Sequence, residues 1–520
     1  MSQARVLWHL MRADFLERVR RYSFLLTLGL AVYLGYVVSV GQLKLWIDDS
    51  RGIYNSPWVG VVMAMVINSF LSIAGFYVVK GSVERDRRTG VGQILATTPM
   101  SKPLYTLGKM ASNLAVLLAM VAVLAVMAFA AQLVAGEDTR LQMVKLLAPI
   151  LVFCVPVMAI VAAFAVLFET LPGLRGGLGN IAWFFLWVGL MPASILTKGS
   201  WDLLGLGAVS ADLYRQTALR YGVTKHSFVL GAMADERGSK IFHWDGMDWT
   251  PEILLSRLVW LGLAVGLALI AAVFFDRFDT ARSSGRVRKP QAALPEPAEA
   301  VAGPAPAIHL HPLPEGARRF RFFDLLRAEL RLLLKGQRWW WYAVALGLLI
   351  ASIAAPIQSV RSVVLPLAWL WPILLWSALG TREARFATDG LVFSAARPLG
   401  RQLPAVWLSG VLLAVATGGA AVLRFALAGD WTGVGAWTVG ALFIPTLALT
   451  LGVWSGSSKL FEIIFLVFWY LGPMQRVPAL DYVGAVPAAV KAGMPLAYLA
   501  ATALLMAAAV AGRKRQLARL

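Results

Sequence analysis

Long apolar runs recur from end to end of this chain, and they exclude most folds before any motif is considered. Of its 520 residues, 59% are hydrophobic and 15% are charged, and the mean hydropathy is +0.69. An ordinary soluble domain is about 45–50% apolar and about 25% charged. Many of the runs exceed the roughly 18 apolar residues that mark a membrane-crossing helix. They are continuous in Leu, Ala, Val and Phe, without the alternation of an outer-membrane barrel. The expected fold is therefore all-α and polytopic, with about twelve transmembrane helices. Six fall near residues 23–40, 58–79, 105–134, 146–171, 181–196 and 254–275. Six more fall near 340–357, 363–379, 405–428, 433–454, 460–471 and 495–511, the eleventh being short and followed by an irregular segment.

A net charge of +20 in a soluble protein would point to nucleic acid. Here no basic face is interleaved with stacking aromatics, and the cations collect in alternate loops, as the positive-inside rule requires. Those loops are the N-terminus, 80–104, 280–289, 380–404 and the tail with Arg513, Lys514, Arg515 and Arg519. Both termini are thus expected on the cytoplasmic side of the inner membrane. The N-terminus lacks a small-residue cleavage site, so no cleavable signal is expected. Cys154, alone and inside an apolar run, excludes disulfides and cysteine-based metal sites. The 199–251 segment is expected outside, where Trp201, Tyr214, Tyr221, Phe242, Trp244 and Trp249 read as interfacial anchors.

One phrase occurs twice. Arg12-Ala13-Asp14 opens the first copy and Arg327-Ala328-Glu329 the second. Two apolar stretches later comes a charged loop, marked by Glu84, Thr89, Gly90, Pro99 and Lys102, and again by Glu383, Thr388, Gly390, Pro398 and Arg401. Glutamate and proline stand 15 positions apart in each copy (99 − 84 and 398 − 383). The openings are offset by 315 and the loops by 299; the 16 residues 42–57 account for the difference. An internal repeat of this kind predicts two halves: 1–278, a Pro/Ala-rich cytoplasmic linker 279–318, and 319–520. Each half opens with a basic amphipathic segment suited to lie in the interface plane against anionic lipid.

The first loop carries the most specific signal. Val83-Glu-Arg-Asp-Arg-Arg-Thr-Gly90, then Leu95 and Pro99, then Gly108-Lys109 resembles the segment after the second helix of ABC-2 type transporter permeases. That pattern is a charged helix, a Thr-Gly, a Leu-x-x-x-Pro and a Gly-Lys opening the third helix. The resemblance covers about residues 1–276; over 318–520 Ala387-Thr388-Asp389-Gly390 replaces the Thr-Gly spacing and no Gly-Lys follows. It implies two six-helix ABC-2-like halves with N-terminal amphipathic elbow helices, fused in one chain. It also implies that the charged loops dock on a dimer of separate ATP-binding cassette ATPase subunits, which hold the ATP and Mg. Val91, Ile94 and Leu95 would enter a partner groove while Glu84, Arg85, Asp86 and Arg88 fix register, with Arg382, Glu383 and Arg385 in the second copy. A solvated loop whose arginines only set topology is the alternative.

The chain itself carries no nucleotide site, because Gly173-Leu-Arg-Gly-Gly-Leu-Gly179 lacks the Lys-Ser/Thr of a phosphate loop. No catalysis and no bound cofactor or metal are expected. His309 and His311 stand in the Pro-rich linker without further ligands. Asp48-Asp49 leaves open a polyprenol-dependent membrane glycosyltransferase. An ion-coupled secondary transporter is a second rival, but it normally needs ionisable groups at mid-membrane, and Glu169, Arg257, Arg424 and Glu462 all fall near run ends, where snorkelling suffices. Asn68, Ser69 and Ser72 are candidates to line a translocation path, with helix–helix packing the alternative. The expectation is the permease subunit of an exporter of amphipathic or hydrophobic cargo.

Overall fold

Three of the long helices start on the same local chemistry, a capping side chain with proline in the first turn. Asn55 Oδ1 accepts from Trp58 N (3.0 Å), Ser101 Oγ from Leu104 N (3.4 Å) and Thr250 Oγ1 from Ile253 N (3.5 Å). Pro57, Pro103 and Pro251 follow, where a missing N–H costs nothing and φ is already helical. The computed structural model describes residues 3–20, 22–41, 44–47, 50–138, 140–196, 202–221, 228–231, 240–278, 321–395 and 397–518. Among them eight helices are long and apolar enough to cross a membrane: Ser56–Arg88, Lys102–Ala135, Met143–Thr170, Gly177–Ser194, Pro251–Phe274, Pro398–Leu427, Trp431–Ser455 and Met494–Leu517. Thr27–Ser39, Trp339–Ala354 and Ile357–Leu370 are apolar but shorter. This is the helical architecture of an integral membrane protein.

The chain divides into two compact units, Met1–Arg286 and Val287–Leu520. The division falls within 279–318, where the sequence placed a linker; that segment, with His309 and His311, lies outside the described residues, as do Asp48 and Asp49.

In unit 1 the Ser56–Arg88 run is not one uniform helix. It carries a π-turn at Ile67–Leu71 and breaks after Val79, where Lys80 is extended and Gly81 is left-handed (φ 113°). A left-handed residue is easily supplied by glycine, and a new helix, Ser82–Arg88, starts from it. A second π-turn, Ile150–Cys154, interrupts Met143–Thr170. Unit 2 has π-turns at Val360–Val364 and Tyr470–Met474. Such turns are single-turn insertions that re-aim the side chains beyond them.

At the end of unit 1 opposite the charged loop lies a small folded cap. Its strands are β1 (Lys44–Ile47), β2 (Ser50–Gly52), β3 (Phe228–Gly231) and β4 (Lys240–Phe242), in the order β3-β1-β2-β4. β1 pairs antiparallel with β2 and β3, and β2 runs parallel to β4. Two of the aromatics expected to anchor at the membrane interface, Phe242 and Trp244, are buried in this cap instead. Trp244 is fully buried, donates Nε1–H to Asp212 Oδ2 (3.0 Å), and meets Trp58 edge to face at 6.1 Å, as does Phe242 at 5.6 Å. Asn55 ties the cap to the helix below by donating to the Trp244 carbonyl at 2.7 Å. Trp249 packs on Phe153 (5.5 Å). Trp201 lies outside the described residues. The reason for the difference is that an indole with a nearby carboxylate acceptor loses nothing on burial. Arg51 grips Glu137 with both guanidinium arms (2.8 and 3.0 Å), which holds the Glu137 carboxyl below the usual range.

Gly52 is fixed by this packing, since a Cβ there would stand 2.4 Å from the Trp58 ring. Gly52→Ala is expected to lower stability by about 1–3 kcal/mol, the usual result of overpacking. Gly29→Ala, with nothing within 4 Å, should not. Thermal unfolding of the two variants in detergent checks this.

Candidate functional site

The first four N–H groups of any helix lack intrahelical partners, and in Ser82–Arg88 a single carboxylate takes them. Glu169, in the last turn of the Val155–Thr170 helix and buried, accepts from Gly81 N (2.6 Å), Ser82 N (3.1 Å), Val83 N (2.6 Å) and Glu84 N (3.0 Å). Charge-assisted bonds of this kind are the strong ones, and an anion at a helix N-terminus also gains from the helix dipole. The charged loop is therefore seized at its first residue.

A second grip comes from buried charge. Lys109, in the Lys102–Ala135 helix and 1% exposed, places Nζ 2.7 Å from Asp14 Oδ2 and 2.7 Å from Asp86 Oδ2. Arg85 Nη2 reaches Asp14 Oδ1 at 2.6 Å and Arg85 also pairs with Glu17. Tyr105 donates its hydroxyl to Asp86 Oδ2 (2.8 Å), and Arg18 bonds Asn113. The Gln3–Val19 helix, the loop and the Lys102–Ala135 helix thus share one ionic cluster. Removing one partner of a buried pair costs about 3–5 kcal/mol, because the other charge is stranded.

The third grip is the end of the Pro251–Phe274 helix. Asp276 pairs with Arg87 and Arg175 (3.1 Å each), and Arg277 donates to the Thr98 carbonyl (2.6 Å). Phe275 stacks on Tyr105 at 4.6 Å, with Phe278 edge-on to both. Val83 joins this cluster, and Leu95 and Met100 pack against it.

These contacts sort the loop residues singled out by sequence. Arg85, Asp86 and Leu95 face inward and serve as anchors. Glu84 bridges to Arg88 (3.0 Å) and Arg87 (3.4 Å). Arg88, Val91 and Ile94 face outward, Ile94 at 68% exposure. Thr89-Gly90 forms the joint before the second loop helix, Val91–Thr97, with Gly90 left-handed (φ 76°).

Unit 2 repeats the buried-charge grip with other residues. Glu329, in the Phe322–Leu334 helix, pairs with Arg382 (2.7 Å), and burial pushes its carboxyl above the ordinary range. Gln402 donates to Glu383 Oε1 (2.9 Å). Arg382 and Glu383 are inward-facing, whereas Arg385, Phe386 and Leu391 are exposed. The contact partners match as Arg85-Asp86 with Arg382-Glu383, an offset of 297 (383 − 86) that Tyr105 and Gln402 share (402 − 105). This differs by two from the register that aligned Glu84 with Glu383, because contacts, not identities, define equivalence here.

Asn68 and Ser72 are buried and bonded to neighbouring segments, with Asn68 Oδ1 left without a partner among the described residues. Asn68 donates to the Leu204 carbonyl (2.7 Å), and Ser72 bonds the Asn68 carbonyl while accepting from Trp187 Nε1 (2.8 Å). Ser69 is half-buried. Of the charges read as snorkelling, Glu169, Arg257 and Glu462 are buried; Arg257 donates to the Leu203 carbonyl (3.0 Å) and faces Asp202 at 3.7 Å, while the half-buried Arg424 donates to the Ser352 carbonyl (3.1 Å). Lys80 and Arg513, read as topology cations, are buried too. Lys80 donates to Asn180 Oδ1 (2.8 Å) and the Gly176 carbonyl (2.9 Å). Among the described residues no group of three or more His, Cys, Asp or Glu is placed to hold a metal.

The chain matches no protein-family model, and no curated protein or solved structure matches it.

Glu169 as a clamp was not foreseen, and neither were the roles of Asp276 and Arg513. An acid closing an apolar run, just before a Leu-Pro-Gly turn, was the available signal for Glu169. Glu169→Ala orphans four donors, so the loop helix should loosen by about 2 kcal/mol, the upper end for a lost N-terminal cap. Faster tryptic cleavage at Arg87 and Arg88 than in the native chain is the expected result.

Proposed function

We propose that the chain is the membrane-spanning subunit of an ATP-driven transporter whose ATP-binding subunits are separate polypeptides. In this reading twelve helices form two six-helix halves in the inner membrane, with both termini and both charged loops in the cytoplasm. The cargo is amphipathic or hydrophobic and moves outward, in keeping with the apolar helices. The observation that carries the proposal is the division of labour within the loop 82–97. One side is lashed to four helices by Glu169, Asp14, Lys109 and Asp276, and the other presents Arg88, Val91 and Ile94. A surface loop with only a topological role needs no such anchoring. A loop that must pass force from a partner to the helices needs both a rigid root and an apolar contact face. In unit 2 the corresponding face is Arg385, Phe386 and Leu391.

The test is co-purification of the chain with an ATP-binding subunit, followed by Val91→Glu with Ile94→Glu. Both side chains are exposed, so the fold should survive. The complex is expected to weaken by at least about tenfold, the scale of losing an apolar anchor worth about 1.4 kcal/mol or more. An unchanged complex, with Phe386→Glu and Leu391→Glu equally silent, would remove the proposal.

A further inference from the structure

In each unit the final long helix ends by holding the charged loop, and the two units do so with opposite ionic polarity. In unit 1 the acid is on the helix end and the base on the loop: Asp276 receives Arg87 at 3.1 Å. In unit 2 the base is on the helix and the acid on the loop: Arg513 Nη2 lies 3.5 Å from Glu383 Oε1. Each contact is backed by an aromatic ring. Phe278 covers Gly92 so closely that a Cβ there would stand 2.6 Å from its ring, and the Arg513 guanidinium lies 4.6 Å over Phe393, in the second helix of its loop.

The residues differ in type and in the side that carries the charge, yet join the same two elements. Arg513 has an added constraint, since it is 1% exposed within a tail otherwise rich in exposed cations. Burying a guanidinium is costly unless it is paired, and here Glu383 and the Phe393 face compensate it. Gln516, one turn on, donates to the Val453 carbonyl (2.7 Å) and fixes this helix end against its neighbour. The backbone agrees: Arg277 and Phe278 in unit 1, and Ala387 and Arg397 flanking the second loop helix of unit 2, are non-glycine residues at positive φ (52°, 63°, 51° and 54°). Such conformations persist only where surrounding contacts enforce them.

We infer that the final helix of each unit is a lever driven by its loop, with Asp276 and Phe278 in unit 1 and Arg513 in unit 2 as the positioning residues that join lever to loop. The inference rests on the proposed transporter reading and adds to it the element that receives the motion. A closing partner displaces the loop, and the clasp draws the end of Pro251–Phe274 or Met494–Leu517 with it.

The experiment uses the full chain with its ATP-binding subunits in lipid nanodiscs, carrying Lys514→Cys as a maleimide reporter. Lys514 is exposed beside Arg513, and the native Cys154 is buried. Labelling is compared without nucleotide and after trapping with ATP and vanadate. With Arg513 present the rate should change by at least about fivefold, the lower range of allosteric coupling. In Arg513→Gln the change should vanish while the complex and ATP hydrolysis persist. A change of native size in that variant overturns the inference. Where Arg513→Gln does not assemble, Glu383→Arg with Arg513→Glu recreates the unit 1 polarity; a restored nucleotide-dependent change supports the lever, and its absence in an assembled complex overturns it. Failure of the native chain to bind any ATP-binding subunit would instead sink the transporter reading. The clasp is then read on the chain alone: Arg513→Gln should speed tryptic cleavage at Arg385 by about fivefold, the effect of roughly 1 kcal/mol, and unchanged cleavage overturns it.

Discussion

Four backbone N–H groups at the start of Ser82–Arg88 converge on one carboxylate supplied by a different helix, and much else in unit 1 follows from that. Without Glu169 those donors, two of them in buried bonds, would lose their acceptor. With it, a helix of only seven residues, far too short to be stable by itself, acquires a fixed start. The Asp14–Lys109–Asp86 cluster then fixes its rotation, because only one face carries Asp86. Asp276 and Phe278 fix its far side. Residues left over from these contacts, Arg88, Val91 and Ile94, face outward by elimination.

The second unit reaches a similar result with fewer charges. Its elbow acid, Glu329, meets Arg382, and its loop acid, Glu383, is shared between Gln402 and Arg513. Thr381, at the start of Arg382–Phe386, makes no side-chain capping bond. Its loop also contains two non-glycine residues at positive φ, Ala387 and Arg397, where the first loop has glycine at its joint. The first loop is the better-braced of the two.

Local signals were legible in the sequence and distant pairings were not. The apolar runs located the long helices, and Asn55, Ser101 and Thr250 with their neighbouring prolines mark three helix starts. Lys109 stood out as part of a Gly-Lys element, but nothing near it in sequence announces Asp14, 95 positions away. Glu169 and Gly81 are 88 positions apart. Arg513 sat in a run of cations that the positive-inside rule explains completely, so its burial could emerge only from the fold. Trp244 was misplaced for a related reason: an amphipathic indole suits an interface or a buried carboxylate equally well, and Asp212 decides between them. The π-turn residues Asn68 and Ser69 drew attention as polar groups inside an apolar run, and Asn68 donates to the Leu204 carbonyl while its Oδ1 stays buried without a partner among the described residues.

The account makes the charged loop of unit 1 a rigid outgrowth of the helices, and amide hydrogen exchange over 82–97 in lipid nanodiscs tests it most directly. Protection depends on the opening free energy of each amide. The amides of Val83 and Glu84, bonded to Glu169, should exchange as slowly as those inside Lys102–Ala135. Exchange of these two amides at the rate of an unstructured peptide would contradict the account.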